Sequence, residues 1–312
     1  MLSFLFSEQS KQADLTLNEF FDTKYVPYAQ KRKVSIKHDL STFNNHLRYS
    51  LGQKVIEDLS PELVENWKYD QRGRNYRVST VNKHVFLLNI LIFLAKDWGY
   101  VSRNIHQVRK TEKLPEGDFK QYFLSSREIS LLMSSCKASR NPYLKYFVEL
   151  LLLTGARHGE ALGARIDNIN LAHRIWVVPK SKSGRSRKIV LNNQAVNLVS
   201  KIRTISKTIP ADAQNQSFLF LNPKTKKPYK SFHVPWAEAR DAAGLDHVRI
   251  HDLRHTFASI LINAGATLYE VQTLLGHSTP QMTQRYAHLS RNTLHEKSEL
   301  VSNFMSDMDA AE

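Results

Sequence analysis

Arg174-Ile175-Trp176-Val177-Val178-Pro179-Lys180-Ser181-Lys182-Ser183-Gly184-Arg185-Ser186-Arg187-Lys188-Ile189-Val190-Leu191 is the stretch from which the fold is read. Residues 174–178 and 187–191 are short runs rich in β-branched side chains. The polar segment between them carries both Pro and Gly, so the whole reads as an antiparallel hairpin with a long basic tip. Residues 218–221 are a candidate third strand. On either side of this small sheet the apolar periodicity is that of helices. Ser125-Ser126-Arg127-Glu128 fits a capping box opening a helix with Ile129, Leu132, Met133 and Cys136 inward. Residues 142–153 form a strongly apolar helix stopped at Thr154-Gly155. Helical patterns return at 235–243, 251–264 and 267–275, with a short one after Thr279-Pro280.

The first third reads as helices alone. Thr16 caps a segment with Leu17, Phe20, Phe21 and Tyr25 on one face, and Ser35 caps the stripe Ile36, Leu40, Phe43, Leu47, ended by Gly52. Ser60-Pro61 starts a third helix, since proline at the first helical position gives up an N–H that has no partner there anyway. Ser79 or Thr80 opens the strongest helix, with Val81, Val85, Leu88, Ile92 and Ala95 along one face. The expected fold is mainly α with a small antiparallel β-sheet: an α+β domain over 122–291, preceded by an all-α helical bundle over 12–110. The polar stretch 111–121 is the linker, and 292–312 a C-terminal tail with Leu294, Leu300, Val301, Phe304, Met305 and Met308 on a helix.

Charge narrows the partners. The 312 residues carry 44 Lys and Arg against 29 Asp and Glu, a net +15 with His neutral. Eighteen basic against 12 acidic residues precede Pro115 and 26 against 17 follow, so both halves are basic and the excess is not a detachable tail. A polyanion is the partner such a chain attracts. One cysteine, Cys136, excludes a disulfide framework and a Cys-ligated zinc site and points to a reducing compartment. The apolar runs 86–95 and 146–153 fall short of the ~20 residues that span a bilayer. Met1-Leu2-Ser3-Phe4-Leu5-Phe6 has neither a basic n-region nor a small-residue cleavage site, so no signal peptide and no membrane is expected. Between two helices, residues 68–77 interleave Lys68, Arg72, Arg74 and Arg77 with Tyr69 and Tyr76, read as a loop; with Lys83 these arginines are candidate DNA contacts.

Six residues stand out, each with an ordinary explanation. Arg157 and Glu160 form an i, i+3 helix-surface pair, and Lys182 sits on a hairpin tip. His251 and His255 have zinc-compatible i, i+4 spacing, but Asp252 follows His251 and the glutamate of the zinc-protease pattern is missing. His277 can cap a helix end, and Tyr286 can pack. Taken together they hold what phosphoryl transfer from DNA to a protein hydroxyl needs without a metal ion. Two guanidiniums, Arg157 and Arg254, can grip the non-bridging oxygens of a pentacoordinate phosphorus and stay protonated. A phenol is a nucleophile that leaves again readily, and histidine can take or return its proton. No carboxylate cluster has two-metal spacing, which argues against a magnesium-dependent nuclease or transposase.

Thr154-Gly155-Ala156-Arg157-His158-Gly159-Glu160, the hairpin Ser181-Lys182-Ser183-Gly184, His251-Asp252-Leu253-Arg254-His255-Thr256, Leu274-Leu275-Gly276-His277 and Tyr286 resemble the tyrosine recombinase (phage integrase) family, in the family's order. The resemblance implies that Tyr286 attacks the scissile phosphate, forming a 3′-phosphotyrosine and freeing a 5′-hydroxyl that later rejoins the DNA. Arg157 and Arg254 would clamp the phosphate, Lys182 would protonate the 5′ oxygen, and His251 would exchange a proton with Tyr286. His277 would donate a hydrogen bond to the phosphate, and Glu160 would orient Arg157 or a neighbour.

The same resemblance implies no cofactor, no metal and no small-molecule substrate. It implies double-stranded DNA as partner, held in a C-shaped clamp between the two domains, and a homo-tetramer on DNA that is a monomer or weak oligomer when free. It also implies a cytoplasmic, nucleoid-associated protein. With the first helix near residue 15, no room is left for an extra N-terminal arm-binding domain. The expected function is therefore a site-specific recombinase integrating or excising a phage or other mobile element. The alternatives are a Xer-like resolvase of the same chemistry, a type IB topoisomerase-like relaxing enzyme, and a catalytically silent DNA-binding regulator.

Overall fold

The computed structural model describes residues 15–101, 113–115, 122–179, 186–290, 298–299 and 301–306. Lys182, most of the linker stretch and Leu294, Leu300 and Met308 lie outside the described residues. The chain divides into two compact units, Met1–Phe119 and Lys120–Glu312.

The first unit is all helical. α1 (Leu17–Phe20) starts on a capping box: the Thr16 hydroxyl accepts the Glu19 N–H and the Glu19 carboxylate accepts the Thr16 N–H. A π-helical turn at Phe21–Tyr25 leads into α2 (Val26–Arg32), where the Val26 N–H bonds the carbonyl of Phe21 five residues back. The helix widens just where Pro27 has no N–H to give. α3 (Lys37–Thr42) passes into a second π turn at Phe43–Leu47, and α4 (Pro61–Gly73) and α5 (Val78–Asp97) complete the unit. Phe20, Phe21, Tyr25, Phe43, Leu47, Val81, Leu88 and Ile92 are fully buried in one core, with the rings of Phe21 and Phe43 stacked at 3.7 Å. By length and composition α5 could cross a membrane, yet more than half of it is packed inside this core.

Several boundaries differ from the sequence expectation. Residues 68–73 are the last turns of α4, not a loop. Lys68 is buried because its ammonium pairs with Glu65 at 2.6 Å, one turn back. The chain leaves the helix only at Arg74, turns at Asn75 (φ +63°), and enters α5 at Val78, ahead of Ser79. Ile36, not Ser35, precedes α3.

The second unit packs helices around one small sheet. α6 (Ser126–Ala138) opens on the expected Ser125–Glu128 capping box, and α7 (Leu144–Thr154) ends at Gly155. The short α8 (His158–Leu162) follows. β1 (Ile169–Asn170), β2 (Ile175–Val178) and β3 (Arg187–Val190) form an antiparallel sheet in the order β1-β2-β3, with Trp176 opposite Ile189 and Val178 opposite Arg187. The hairpin is thus where the sequence puts it, but the third strand is Ile169–Asn170. Phe218 and Leu221 make only isolated bridges, to Arg165 and Pro228. α9 (Asn193–Lys207), capped by Asn192, was not expected; it buries Leu198, Val199 and Ile202. The short α10 (Ala213–Gln216), then α11 (His233–Ala242), α12 (Asp252–Asn263), α13 (Leu268–Leu275) and α14 (Gln281–Gln284) finish the unit. Cys136 is a buried thiol in the core, as a small hydrophobe would be.

The Phe147 ring anchors this core, stacking on Phe232 at 4.2 Å and meeting Phe220 edge-on at 5.3 Å. Phe147→Ala removes a fully buried ring and is expected to destabilise the second unit by ~3–5 kcal/mol. Urea denaturation of the full chain, followed by a fluorescence probe in the second unit, measures this. A loss under ~1 kcal/mol would mean that the site collapses around the missing ring.

Candidate active site

Gly155 ends α7 in the left-handed region (φ +59°), where a Cβ would lie 2.5 Å from the Phe257 ring and 2.9 Å from Leu275. A side chain would be strained there and would clash, so the chain turns on glycine. That turn delivers Arg157 to the N-cap of α8. The Glu160 carboxylate accepts both the Arg157 backbone N–H at 2.7 Å and its guanidinium at 2.9 Å. This is not the exposed surface pair that the spacing suggests, for the Glu160 side chain is only 8% exposed. Its second partner is Arg187, the first residue of β3, which donates from Nε to Oε1 at 3.0 Å and from Nη2 to Oε2 at 2.7 Å.

α12 carries His251 at its N-cap, then Arg254 and His255. Arg254 is buried and donates to the carbonyl of Gly155 at 2.6 Å and to that of Leu275 at 2.8 Å. Gly276 (φ +63°) ends α13, and the next residue is His277, whose Nδ1 pairs with the Thr283 hydroxyl at 2.7 Å. Tyr286 follows α14, fully buried, with its phenol oxygen 2.6 Å from His255 Nδ1. Five of the six expected residues therefore come from four separate segments to one place in the second unit. Lys182 falls outside the described residues. Arg72, Arg74, Arg77 and Lys83 are all exposed on the first unit, with Arg72 donating to the Tyr76 carbonyl. Among the described residues, no group of three or more His, Cys, Asp or Glu side chains converges as metal ligands.

Two residues of the cluster were missed. His255, rather than His251, bonds the phenol in this state, and the His251 ring meets His255 edge-on at 5.0 Å. The i, i+4 spacing of the two histidines was the available signal. Arg187 shares a strand face with the buried Ile189, so a basic residue on the core side of a two-residue alternation was the other.

Burial and the neighbouring charges together set the electrostatics. Burial would raise the Glu160 carboxyl, but the hydrogen bonds and charge of Arg187, with help from Arg157, hold it down at about 2. Burial first, then the like charges of Arg157 and Arg187, push Arg254 down to about 9. The same combination of burial and nearby arginines lowers His277 to about 3, while burial and then His251 bring His255 to about 4. Burial raises the Tyr286 phenol, and Arg254 and Arg285 work against it. The cluster is thus a partly dry, cationic cage in which the Glu160 carboxylate serves two arginines.

The sequence model of the phage integrase family matches residues 122–293. The chain is 28% identical over 286 residues to the tyrosine recombinase XerD of Rickettsia bellii, a match covering 84% of this chain and 89% of the relative. Its fold resembles that of the Tn1549 transposon integrase in complex with transposon right-end DNA (TM-score 0.73, 18% identity, 91% of this chain and 99% of that one). It also resembles lambda integrase solved as a tetramer on a Holliday junction (TM-score 0.69, 19% identity, 88% and 77%). Fold and relatives together define a tyrosine recombinase, an enzyme that breaks and rejoins DNA at specific sites. The chain belongs to the phage integrase family.

The lowered pKa values fix how the unit responds to acid. His255 and His277 take up protons near the ordinary 6.5 when unfolded, but only near 4 and 3 when folded, so stability falls as pH drops below 6.5. Glu160 adds to the fall: its contribution is present above 4.5 and is lost as pH drops toward 2. Calorimetry should show the melting temperature of the second unit declining from pH 6.5 downward, with a shallower decline in His255→Gln. A melting temperature constant between pH 6.5 and 4 would contradict the dry cage.

Proposed function

We propose that the chain recombines duplex DNA at a defined site through a 3′-phosphotyrosine on Tyr286, integrating or excising a mobile element. The observation that carries this reading is the charge count: Arg157 and Arg187 share the one carboxylate of Glu160, and Arg254 beside them bonds only backbone carbonyls. Such an excess of fixed cations is stabilised by an anion that arrives from outside, and a phosphodiester gaining charge in its transition state suits it best. Arg157 and Arg254 clamp the non-bridging oxygens and His277 donates to one of them. Glu160 holds Arg157 in place. Lys182, which the sequence puts between β2 and β3, protonates the departing 5′ oxygen. His251 exchanges a proton with Tyr286 once the phenol has left His255, since a fully buried phenol cannot reach a phosphate in duplex DNA. The ester bond to tyrosine conserves the energy of the broken phosphodiester, so the chemistry calls for no cofactor.

Arg72, Arg74, Arg77 and Lys83 contact the DNA backbone from the first unit, which supports binding at low salt more than at high. The working form is a homo-tetramer on double-stranded DNA, a monomer or weak oligomer when free, acting in the cytoplasm on the nucleoid. The C-terminal residues 292–312 hold neighbouring protomers together. Val301, Phe304 and Met305 are exposed there, and the second unit has an open apolar cavity of about 630 Å³ lined by Leu261, Ala266, Tyr269 and Leu274. A second reading, a Xer-like dimer or multimer resolvase with the same chemistry, is favoured by the match along nearly the whole of XerD. Dependence on an element-borne attachment site separates the two.

A nicked duplex that traps the covalent intermediate tests the chemistry. The wild-type chain should become attached to DNA recovered by covalent capture from a randomised duplex library. Tyr286→Phe should bind that DNA with unchanged affinity and never become attached; a covalent adduct in this variant would remove Tyr286 as nucleophile. Deleting 292–312 should leave single-site binding intact but abolish the tetramer on paired sites in native gels, and a tetramer that still assembles would refute the role of the tail.

A further inference from the structure

Arg187 is not among the phosphate-gripping residues proposed above, yet it touches both of the segments that hold them. Its guanidinium has five N–H donors in a rigid fork. Nε and Nη2 go to the two oxygens of Glu160, and Nη1 goes to the carbonyls of Leu275 at 2.7 Å and Leu274 at 3.3 Å. With its donors directed at four protein oxygens and its side chain 13% exposed, it has little left for a phosphate. Two of its three bonding partners, however, are shared. Glu160 also holds Arg157, at 38% side-chain exposure the most accessible of the three arginines' side chains. The Leu275 carbonyl also accepts Arg254, and Leu275 lies two residues before His277.

We propose that Arg187 is a positioning residue that locks Arg157, through Glu160, and Arg254, through the Leu275 carbonyl, into one phosphate-gripping geometry. Two arginines from different helices repel each other, and each alone has long rotamer freedom. A single fork that fixes the carboxylate under one and the carbonyl under the other sets their separation before substrate arrives. The backbone around it is built for close approach: a Cβ at Gly276 would lie 2.7 Å from Arg187 Cδ. Because Arg187 is the first residue of β3, the same fork ties the root of the hairpin to the cage. Arg187→Lys keeps the charge and most of the stem but cannot span four acceptors as a planar fork.

The inference rests on the recombinase chemistry proposed above, and the controls separate the two. Arg187→Lys and Arg187→Ala are compared with wild type on the nicked duplex, measuring affinity, cleavage rate at saturating DNA and melting temperature. Both variants should bind DNA within threefold of wild type and cleave at least tenfold slower, in the ~10–100-fold range that loss of an orienting partner costs a functional side chain. A substrate with sulfur at the 5′ bridging position has a leaving group that needs no proton. It should restore Lys182→Ala and leave Arg187→Lys slow.

A folded Arg187→Lys cleaving within twofold of wild type overturns the proposal, as does a defect confined to affinity. Recovery of Arg187→Lys on the sulfur substrate overturns it in favour of a role through the hairpin lysine. Unfolding of both variants also overturns it, by making Arg187 a stability residue. If wild type forms no adduct on any duplex, the recombinase reading itself fails.

Discussion

The second unit is organised around one carboxylate. Glu160 accepts four hydrogen bonds, from the backbone and side chain of Arg157 and from two nitrogens of Arg187, and is nearly sealed from water. A buried carboxylate is costly unless paired, and buried guanidiniums equally so. Here each solves part of the other's problem, and the remaining positive charge is met by backbone. Gly155 and Leu275 present carbonyls to Arg254 because α7 and α13 both end in glycines of left-handed conformation. The carbonyl end of a helix is also its negative pole, so a buried cation is least unfavourable there. Two helix ends, one strand start and one acidic side chain therefore have to agree for the cage to exist.

That cage sets the protonation of everything near it. With water largely excluded and Arg254, Arg157, Arg285 and Arg187 close by, His277 stays neutral far below neutrality. A neutral imidazole can donate one hydrogen bond and accept another, which an imidazolium cannot. After burial, what depresses Arg254 and the histidines is positive charge that a bound phosphate would neutralise. An anion entering the cage thus raises the proton affinity of these groups at the moment when holding a proton becomes useful. The site is poised by what it lacks.

How much of this the sequence discloses follows from the range of each interaction. The hairpin, the Ser125 capping box and the helix stops at Gly155 and Gly276 are local, set by residues within one turn of each other, and they were legible. α9 has a cap at Asn192 and a stripe through Val199 and Ile202, signals that are local as well. Phe218 to Leu221 has β composition yet lacks a neighbouring strand, so it forms bridges alone. Lys68 looked like a loop residue because a buried ammonium is invisible without its Glu65 partner. The individual site motifs were visible as a set. The bonds joining them were not: Arg187 reaches Glu160 across 27 residues and Leu275 across 88, and no spacing rule covers such distances.

The forces that hold Tyr286 in place are modest. Its ring is buried and its oxygen is held by His255, but α14 is only four residues long and is followed by a short 3-10 turn at Ala287–Ser290. Releasing a phenol from such a place costs about 2 kcal/mol of apolar burial and about 1 kcal/mol for the hydrogen bond. Charge-assisted hydrogen bonds from two guanidiniums to an arriving phosphate, at about 1.5–3 kcal/mol each, are of the size needed to offset that. A phenol held by a neutral histidine, beside more cations than carboxylates, is kept in place by a few kcal/mol. Storage on His255 also keeps the phenol protonated, since burial raises it and no base with ordinary affinity lies against it. The same contact that shields the phenol therefore also leaves it without a base of ordinary affinity, and a ring displaced from His255 would lose both effects.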